Sequence, residues 1–176
     1  LVRSRRGKPL FGGDWGRRWF LNVSHHGNWV VGVVVRGACV GIDVGRFQWP
    51  RGVKTEEEYF RMMNHCFSGK EWGRIVGSRC KESGEFYWNW VVKESFLKCI
   101  GIGTGIDLKE VECWRGEEEG GGECGKEWRV TQNALPSPST IVRSFLLDSQ
   151  HPCSITLSPP SLSIDCPHSI PSPPPS

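Results

Sequence analysis

Between Trp19 and Val44 apolar residues come in short runs broken by turn formers, the pattern of strands and hairpins. Trp19 to Ser24 and Trp29 to Arg36 read as two strands joined by His25-His26-Gly27-Asn28. In the second, Val30, Val31, Val33, Val34 and Val35 are β-branched and almost continuous, which predicts a strand covered on both faces. A third strand, Cys39 to Val44, follows Gly37. Past Pro50 the period becomes helical. Thr55 and Glu58 have capping-box spacing, and Tyr59, Phe60, Met62, Met63 and Phe67 supply an apolar face. Ser68 and Glu71 repeat the box and open a short helix through Trp72, Ile75 and Val76. From Glu85 to Ile100 the pattern is apolar almost all round, so this should be a central, buried helix, ended by Gly101 at C′. Asp107 to Trp114 alternates as a strand, and Lys126 to Val130 reads as its hairpin partner across a Gly/Glu-rich loop.

Composition changes after residue 130. All nine tryptophans and eight phenylalanines precede residue 146, and the end is rich in Ser-Pro and Pro-Pro. Such a segment predicts a disordered or extended chain that builds no core, with Ile141 to Leu147 as one weakly packing patch. The 176 residues, 38% hydrophobic, fit one ordinary domain plus a tail. A net charge of +3 is too mild to argue for nucleic acid. The local cluster Arg3, Arg5, Arg6 and Lys8 suits an anionic small molecule, a phosphate backbone or plain solvation. Eight cysteines without a C-x-x-C pair exclude a zinc ribbon or thioredoxin motif and read as buried thiols in a reducing compartment. No window approaches the ~20 apolar residues of a membrane span.

Three polar features interrupt the apolar pattern. Lys93, Glu94 and Lys98 sit inside the buried helix, where charge is costly unless paired or used. Glu94 and Lys98 share a face, so an i,i+4 salt bridge explains them as well as a functional role does. Asp43 breaks an apolar strand near its end, as a turn residue or cap also could. Together Asp43 and Glu94 offer two hard oxygen ligands from different elements, the set used by Mg2+ on a phosphate substrate. Asn22-Val23-Ser24-His25-His26 brings an amide, a hydroxyl and an imidazole to one strand–turn junction, or simply a surface histidine. Gly101-x-Gly103-x-Gly105 follows a helix rather than opening one, which favours helix termination over a phosphate cradle. Ser24 beside His25 lacks the G-x-S-x-G elbow and third member of a hydrolase.

In order and spacing, two segments carry a family resemblance: Val40-Gly41-Ile42-Asp43-Val44 and Trp90-Val91-Val92-Lys93-Glu94-Ser95-Phe96-Leu97-Lys98. With Gly7-Lys8-Pro9 and Asn22-Val23-Ser24-His25 upstream, they resemble the 4′-phosphopantetheinyl transferases of the large surfactin-synthetase type. Phe67-Ser68-Gly69-Lys70-Glu71-Trp72 and the glycine tail after Ile100 resemble the eukaryotic branch that includes the aminoadipate-semialdehyde dehydrogenase phosphopantetheinyl transferases. The resemblance spans about residues 3 to 130.

That resemblance implies an enzyme that moves the 4′-phosphopantetheine arm of coenzyme A onto a serine of an apo acyl or peptidyl carrier protein, releasing 3′,5′-ADP. It implies that Asp43 and Glu94 hold Mg2+, that Glu94 helps deprotonate the carrier serine, and that Lys98 contacts the pyrophosphate. Asp43, Glu94 and Lys98 are then the catalytic residues, and all three bind coenzyme A. Arg3, Arg6, Lys8 and Asn22 join them as coenzyme A ligands. So do Ser24, Ser95 and His25, the last at the 3′-phosphate. The implied fold is α+β, a pseudo-dimer of two similar lobes with coenzyme A at their junction, monomeric and cytosolic, with neither nucleic acid nor membrane as partner.

Three positions depart from the family pattern. Where many relatives carry a second acid two residues after the aspartate, this chain has Gly45. His26 stands where eukaryotic relatives often have Gln, and imidazole is a softer partner for Mg2+. Val91 replaces a small residue and should crowd the central helix by ~1–3 kcal/mol unless a neighbour compensates. The expected organisation is 1–38 as the end of a preceding lobe with the coenzyme A loop, and 39–130 as one nearly complete lobe, an antiparallel sheet on a long central helix. Residues 131–176 are expected to be a disordered Ser/Pro tail of separate origin. Two readings compete with the enzyme: an incomplete fragment that only binds coenzyme A, and a nucleic-acid-binding module built on the basic start and the aromatics.

Overall fold

The structure, a computed structural model, describes residues 1–48, 51–77, 84–103, 105–115, 126–133, 135–136 and 139–162. Strands β1 (Val2–Arg3) and β2 (Pro9–Leu10) form a small ladder, and β3 (Trp19–His26) and β4 (Trp29–Arg36) form a hairpin. β5 (Cys39–Val44) precedes three helices, α1 (Glu56–Met63), α2 (Gly69–Gly77) and α3 (Glu85–Ile100). β6 (Val111–Arg115), β7 (Lys126–Gln132), β8 (Leu135–Pro136), β9 (Ile141–Asp148) and β10 (His151–Ser158) follow. The main sheet is antiparallel in the order β5-β10-β9-β7-β6, with β8 on β7. The architecture is α+β, with the antiparallel sheet packed on the long helix, the arrangement the family resemblance implies.

The box at α2 forms in full, Glu71 N–H donating to Ser68 Oγ (3.2 Å) and Ser68 N–H to Glu71 Oε2 (2.8 Å). At α1 Glu58 N–H donates to Thr55 Oγ1 (3.1 Å), while Glu58 Oε2 accepts from Lys54 N–H one residue earlier (2.9 Å). Gly101 takes the left-handed conformation (φ 74°) that closes α3, its N–H donating to Leu97 O. The predicted strand from Asp107 starts later: Asp107 caps a short 3-10 turn, and pairing begins at Val111.

The largest difference from the sequence pattern lies after residue 130. The expected disordered tail is overturned for residues 139–162, because β9 and β10 are interior strands of the main sheet and β10 pairs directly with β5. Cys153-Ser154-Ile155-Thr156-Leu157-Ser158 alternates at the strand period. Its apolar members pack with Ile42, Val44, Val31 and Val33, on the side of the β3–β4 hairpin. Its hydroxyls face α3, where Ser95 Oγ meets Ser154 Oγ at 3.0 Å and Thr156 Oγ1 at 2.8 Å. Trp128 Nε1 likewise donates to Ser144 Oγ at 2.7 Å. Buried hydroxyls that satisfy one another are compatible with a core, so Ser-rich composition here marks a packed face. Residues 163–176 of that tail lie outside the described residues.

A second correction concerns β4. Only Val31, Val33 and Val35 turn inward, while Val30 and Val34 are 74% and 54% exposed. The hairpin covers the sheet with one face, and among the described residues nothing covers the other. Its turn is also shorter than predicted: His26 pairs with Trp29, so His25 and His26 belong to β3 and Gly27-Asn28 alone turn the chain, with Gly27 at φ 58°.

Lys93 proves to be structural. It is fully buried and donates to Glu71 Oε2 (2.8 Å), Cys66 O (2.9 Å) and Leu108 O (3.0 Å), over the Phe67 ring. Glu71 is equally buried and also accepts from Ser68 N and Cys113 N. Full pairing offsets the desolvation of both charges, and the pair ties α2, α3 and β6 together. Cys39, Cys66, Cys99, Cys113 and Cys153 are buried thiols outside any disulfide, and burial pushes the Cys99 thiol up to about 12. Cys80, Cys124 and Cys166 lie outside the described residues. Among the described residues no helix is long and apolar enough to cross a membrane.

Candidate functional site

α3 stacks Trp90, Glu94 and Lys98 in one row, as i, i+4 and i+8 positions must. Beside this row β5 contributes Asp43, one residue before its end, and β3 contributes Ser24. Lys98 Nζ donates to Asp43 Oδ1 at 2.5 Å and to Ser24 Oγ at 2.9 Å, and Ser24 Oγ donates to the same carboxylate oxygen at 2.8 Å. The alternative bridge from Lys98 to Glu94 is not the one that forms. Both contacts fall on Oδ1, so Asp43 Oδ2 accepts no hydrogen bond among the described residues.

Glu94 has no hydrogen-bond or ion-pair partner among the described residues. Burial, and then the charge of Asp43, raise its pKa above the ordinary carboxylate value, while Lys98 pulls the other way. The two acids therefore feel each other across the cleft. Among the described residues no three His, Cys, Asp or Glu side chains cluster closely enough to hold a metal ion by themselves, so protein ligands for a cation are limited here to pairs such as this one.

Two cavities meet along the α3 row. One, of about 630 Å³, is bordered by Arg6, Lys8, Asn22 and Glu94, with an apolar wall of Leu97, Ile106 and Leu108. The other, of about 910 Å³, is bordered by Ser24, His25, His26, Asp43, Arg46 and Arg51. Val23, Trp90 and Lys98 border both, so they are arms of one cleft with an acid in each and Lys98 between.

Most of the residues singled out in the sequence reach this cleft. Arg6 Nη1 donates to Ile102 O (3.0 Å) and Lys8 Nζ to Cys99 O (2.7 Å), which fixes both cations against the end of α3. Asn22 borders the first arm, but its Oδ1 accepts from Ile42 N (2.9 Å), so it also seals the outer edge of β5. Arg3 donates to Gly7 O and borders neither arm. Ser95 is a correction: it is fully buried and bonds Val92 O, Ser154 and Thr156, not the cleft. One residue beyond Glu94 is about 100° around the helix, which turns Ser95 toward the sheet. Sequence reasoning missed Trp90, Arg46 and Arg51 as cleft residues. Trp90 was detectable four positions before Glu94, whereas the arginines stand in a loop without periodicity.

Gly45 and Val91 turn out to be coupled departures. A Cβ built on Gly45 would stand 2.8 Å from Val91 Cγ1, and Val91 is fully buried. A helical valine has one strongly favoured rotamer, so it cannot swing aside cheaply. The extra volume of Val91 thus fills space left by the missing side chain at 45. Gly45→Ala should destabilise the protein by about 1–3 kcal/mol through overpacking. The loss should shrink in a Val91→Ala background, and a double-mutant cycle by chemical denaturation measures the coupling; additive losses would disprove it.

Comparison with known proteins places relatives along much of the chain. Residues 39–149 match the 4'-phosphopantetheinyl transferase superfamily, a span that takes in β9 and so counts against a separate origin for that part of the chain. A phosphopantetheinyl transferase of a Thraustochytrium species is 36% identical over 126 residues, covering 68% of this chain and 44% of the relative. The L-aminoadipate-semialdehyde dehydrogenase-phosphopantetheinyl transferase of Xenopus laevis is 33% identical over 164 residues, covering 89% of this chain and 53% of the relative. Its Homo sapiens counterpart is 34% identical over 117 residues, covering 64% of this chain and 38% of the relative. The chain spans about half the length of the curated relatives it matches. With a family match over well more than half its residues, the chain belongs to the 4′-phosphopantetheinyl transferase superfamily.

Proposed function

We propose that the protein transfers the 4′-phosphopantetheine arm of coenzyme A to a serine hydroxyl of an apo acyl or peptidyl carrier protein, releasing 3′,5′-ADP. One observation carries this reading: Asp43 and Glu94, from different elements, occupy one cleft with Lys98 fixed between them. Family membership and the names of the relatives support it.

The donor set fits magnesium. Asp43 and Glu94 supply hard carboxylate oxygens, and a divalent cation would relieve the burial and repulsion that hold Glu94 toward its neutral form. When bound, the ion would withdraw charge from the pyrophosphate. The serine oxygen forms its bond to the phosphorus that carries the pantetheine arm, and the bond from that phosphorus to 3′,5′-ADP breaks. Glu94, whose carboxyl has no hydrogen-bond or ion-pair partner among the described residues, accepts the serine proton. Lys98 places its ammonium where charge develops on the leaving phosphate, and its bonds to Asp43 and Ser24 orient it beforehand. Arg6 and Lys8 in one arm, and Arg46 and Arg51 in the other, supply cations for the remaining phosphates, and His25 adds a ring nitrogen that can hydrogen-bond them. Trp90, Ile106 and Leu108 give the arm an apolar wall that keeps water from it. The reading includes a cytosolic setting, supported by the buried thiols outside any disulfide among the described residues.

The test is transfer of label from pantetheine-labelled coenzyme A to an apo carrier protein. Label should appear on the carrier with magnesium, vanish with a chelator, and be absent from a carrier whose serine is replaced by alanine. Unlabelled coenzyme A, but not an oligonucleotide, should compete. Transfer that persists in chelator would remove the metal from the reading, and coenzyme A binding without any transfer would replace it with the binding-only alternative.

A further inference from the structure

The β9–β10 turn carries polar contacts that the cleft chemistry does not use. Asp148 Oδ1 accepts from the backbone N–H groups of Gln150 (2.8 Å) and His151 (2.9 Å), and Oδ2 accepts from Trp29 Nε1 (3.0 Å). His151 Nδ1 lies 2.8 and 2.9 Å from the two carboxylate oxygens. These bonds, the Gln150 N–H foremost, hold the Asp148 carboxyl well below the usual carboxylate range. It is therefore an ionised acceptor, and the proton of its contact with His151 sits on Nδ1. His151 is only 9% exposed, and its Nε2 has no hydrogen-bond partner among the described residues. That edge of the ring abuts the β3–β4 turn, 3.5 Å from where a Gly27 Cβ would be, and Trp29 meets the ring edge-on at 6.4 Å.

The other side of the turn holds the loop after β5. Gln150 Oε1 accepts from Arg46 Nε (3.3 Å) and Nη2 (3.0 Å). Gly45 N–H donates to Pro152 O and Phe47 N–H to Gln150 O, each at 2.9 Å. One turn thus grips both rims of the cleft's second arm, His25 to Gly27 on one side and Gly45 to Arg46 on the other. Asp148, Gln150 and His151 border neither arm, so their effect on a ligand passes through the residues they hold.

We propose that the Asp148–His151 turn is a positioning unit for the anion-binding wall of this arm, setting the spacing between His25 and Arg46 to suit the phosphates of a nucleotide. It rests on the coenzyme A reading of the cleft. Among the described residues the β3–β4 ladder is hydrogen-bonded to no third strand, so side-chain contacts such as that of Trp29 with Asp148 hold its tip. Charge-assisted bonds to Asp148 provide an anchor and order the tip before a ligand arrives.

Asp148→Ala removes the anchor, and Trp29→Phe keeps an aromatic side chain while losing the indole N–H donor and part of the ring system. Both are compared with wild type for amide hydrogen exchange at residues 25–29, affinity for 3′,5′-ADP by calorimetry, and carrier-labelling kinetics. Exchange at the tip should rise in both variants. The 3′,5′-ADP Kd and coenzyme A KM should rise about tenfold in Asp148→Ala, within what ångström-scale misplacement costs. Trp29→Phe should show a smaller rise in both. The kcat and the carrier KM should stay within about twofold, a split that a simple loss of folded protein would not produce. Exchange that stays flat, or that rises with no loss of 3′,5′-ADP affinity, overturns the positioning role and leaves the coenzyme A reading in place. Wild-type protein that takes up no 3′,5′-ADP overturns the coenzyme A reading itself.

Discussion

Glu94→Gln should cut phosphopantetheine transfer by on the order of 10²–10⁴-fold, the range of a lost acid–base group, without weakening the fold. The side chain keeps its size, and no hydrogen bond or ion pair among the described residues depends on it. What disappears is the charge that would accept a proton and share a cation with Asp43. Stability should change in the opposite sense. The folded state raises the Glu94 pKa above its ordinary value of 4.5, so the fold favours the neutral carboxyl. Its stabilising contribution is present below pH 4.5 and is lost as pH rises through the raised value. Glutamine cannot ionise and escapes that loss, so the variant should melt at or above the wild-type temperature at neutral pH. Melting curves at acid and neutral pH, together with carrier labelling, check both halves. A variant that labels carrier at the wild-type rate would take Glu94 out of the chemistry.

Gly41→Ala should destabilise the protein by about 3 kcal/mol, the upper end for overpacking, and disable the cleft as well. A Cβ at this position would fall well inside van der Waals contact of Ser95 O and Cys99 N, and 2.9 Å from Cys99 Cα. All of these are backbone atoms of α3, so no side-chain rotation relieves the clash and the helix must move off β5. Gly41 and Asp43 alternate onto the same face of β5, so that movement also separates Asp43 from Lys98. Denaturant unfolding gives the stability loss, and labelling at a temperature where the variant is still folded gives the activity loss. A Gly41→Ala protein of normal stability would show that the close approach of α3 to β5 is not required.

Much of this molecule can be read from short-range pattern. Thr55 with Glu58, Ser68 with Glu71, and Gly101 after Ile100 mark helix ends, because the groups that satisfy a terminus come from within a turn of it. Asp43 and Glu94 were recognisable as anomalies, since each is a carboxylate in an apolar element. Lys93 drew the same suspicion, yet it is held by Glu71 in a different helix. A buried charge announces its cost in sequence but not its partner. Ser95 stands directly after Glu94 and faces the sheet, a distinction made only by which side of α3 meets β10.

The chain alone determined the two carboxylates, the basic and histidine-bearing segments, the helix limits and the family resemblance, because each rests on residues near one another or on ordered motifs. Only the tertiary structure decided that Lys98 binds Asp43 rather than Glu94, that Val91 fills the space beside Gly45, and that Ile141–Asp148 and His151–Ser158 are interior strands. Asp43 pairs in register with Ser154, from a segment whose serines and prolines suggest disorder when counted as composition. Strand pairing joins residues distant in the chain, and the partner that makes a buried hydroxyl tolerable is named by the fold, not by its neighbours in sequence.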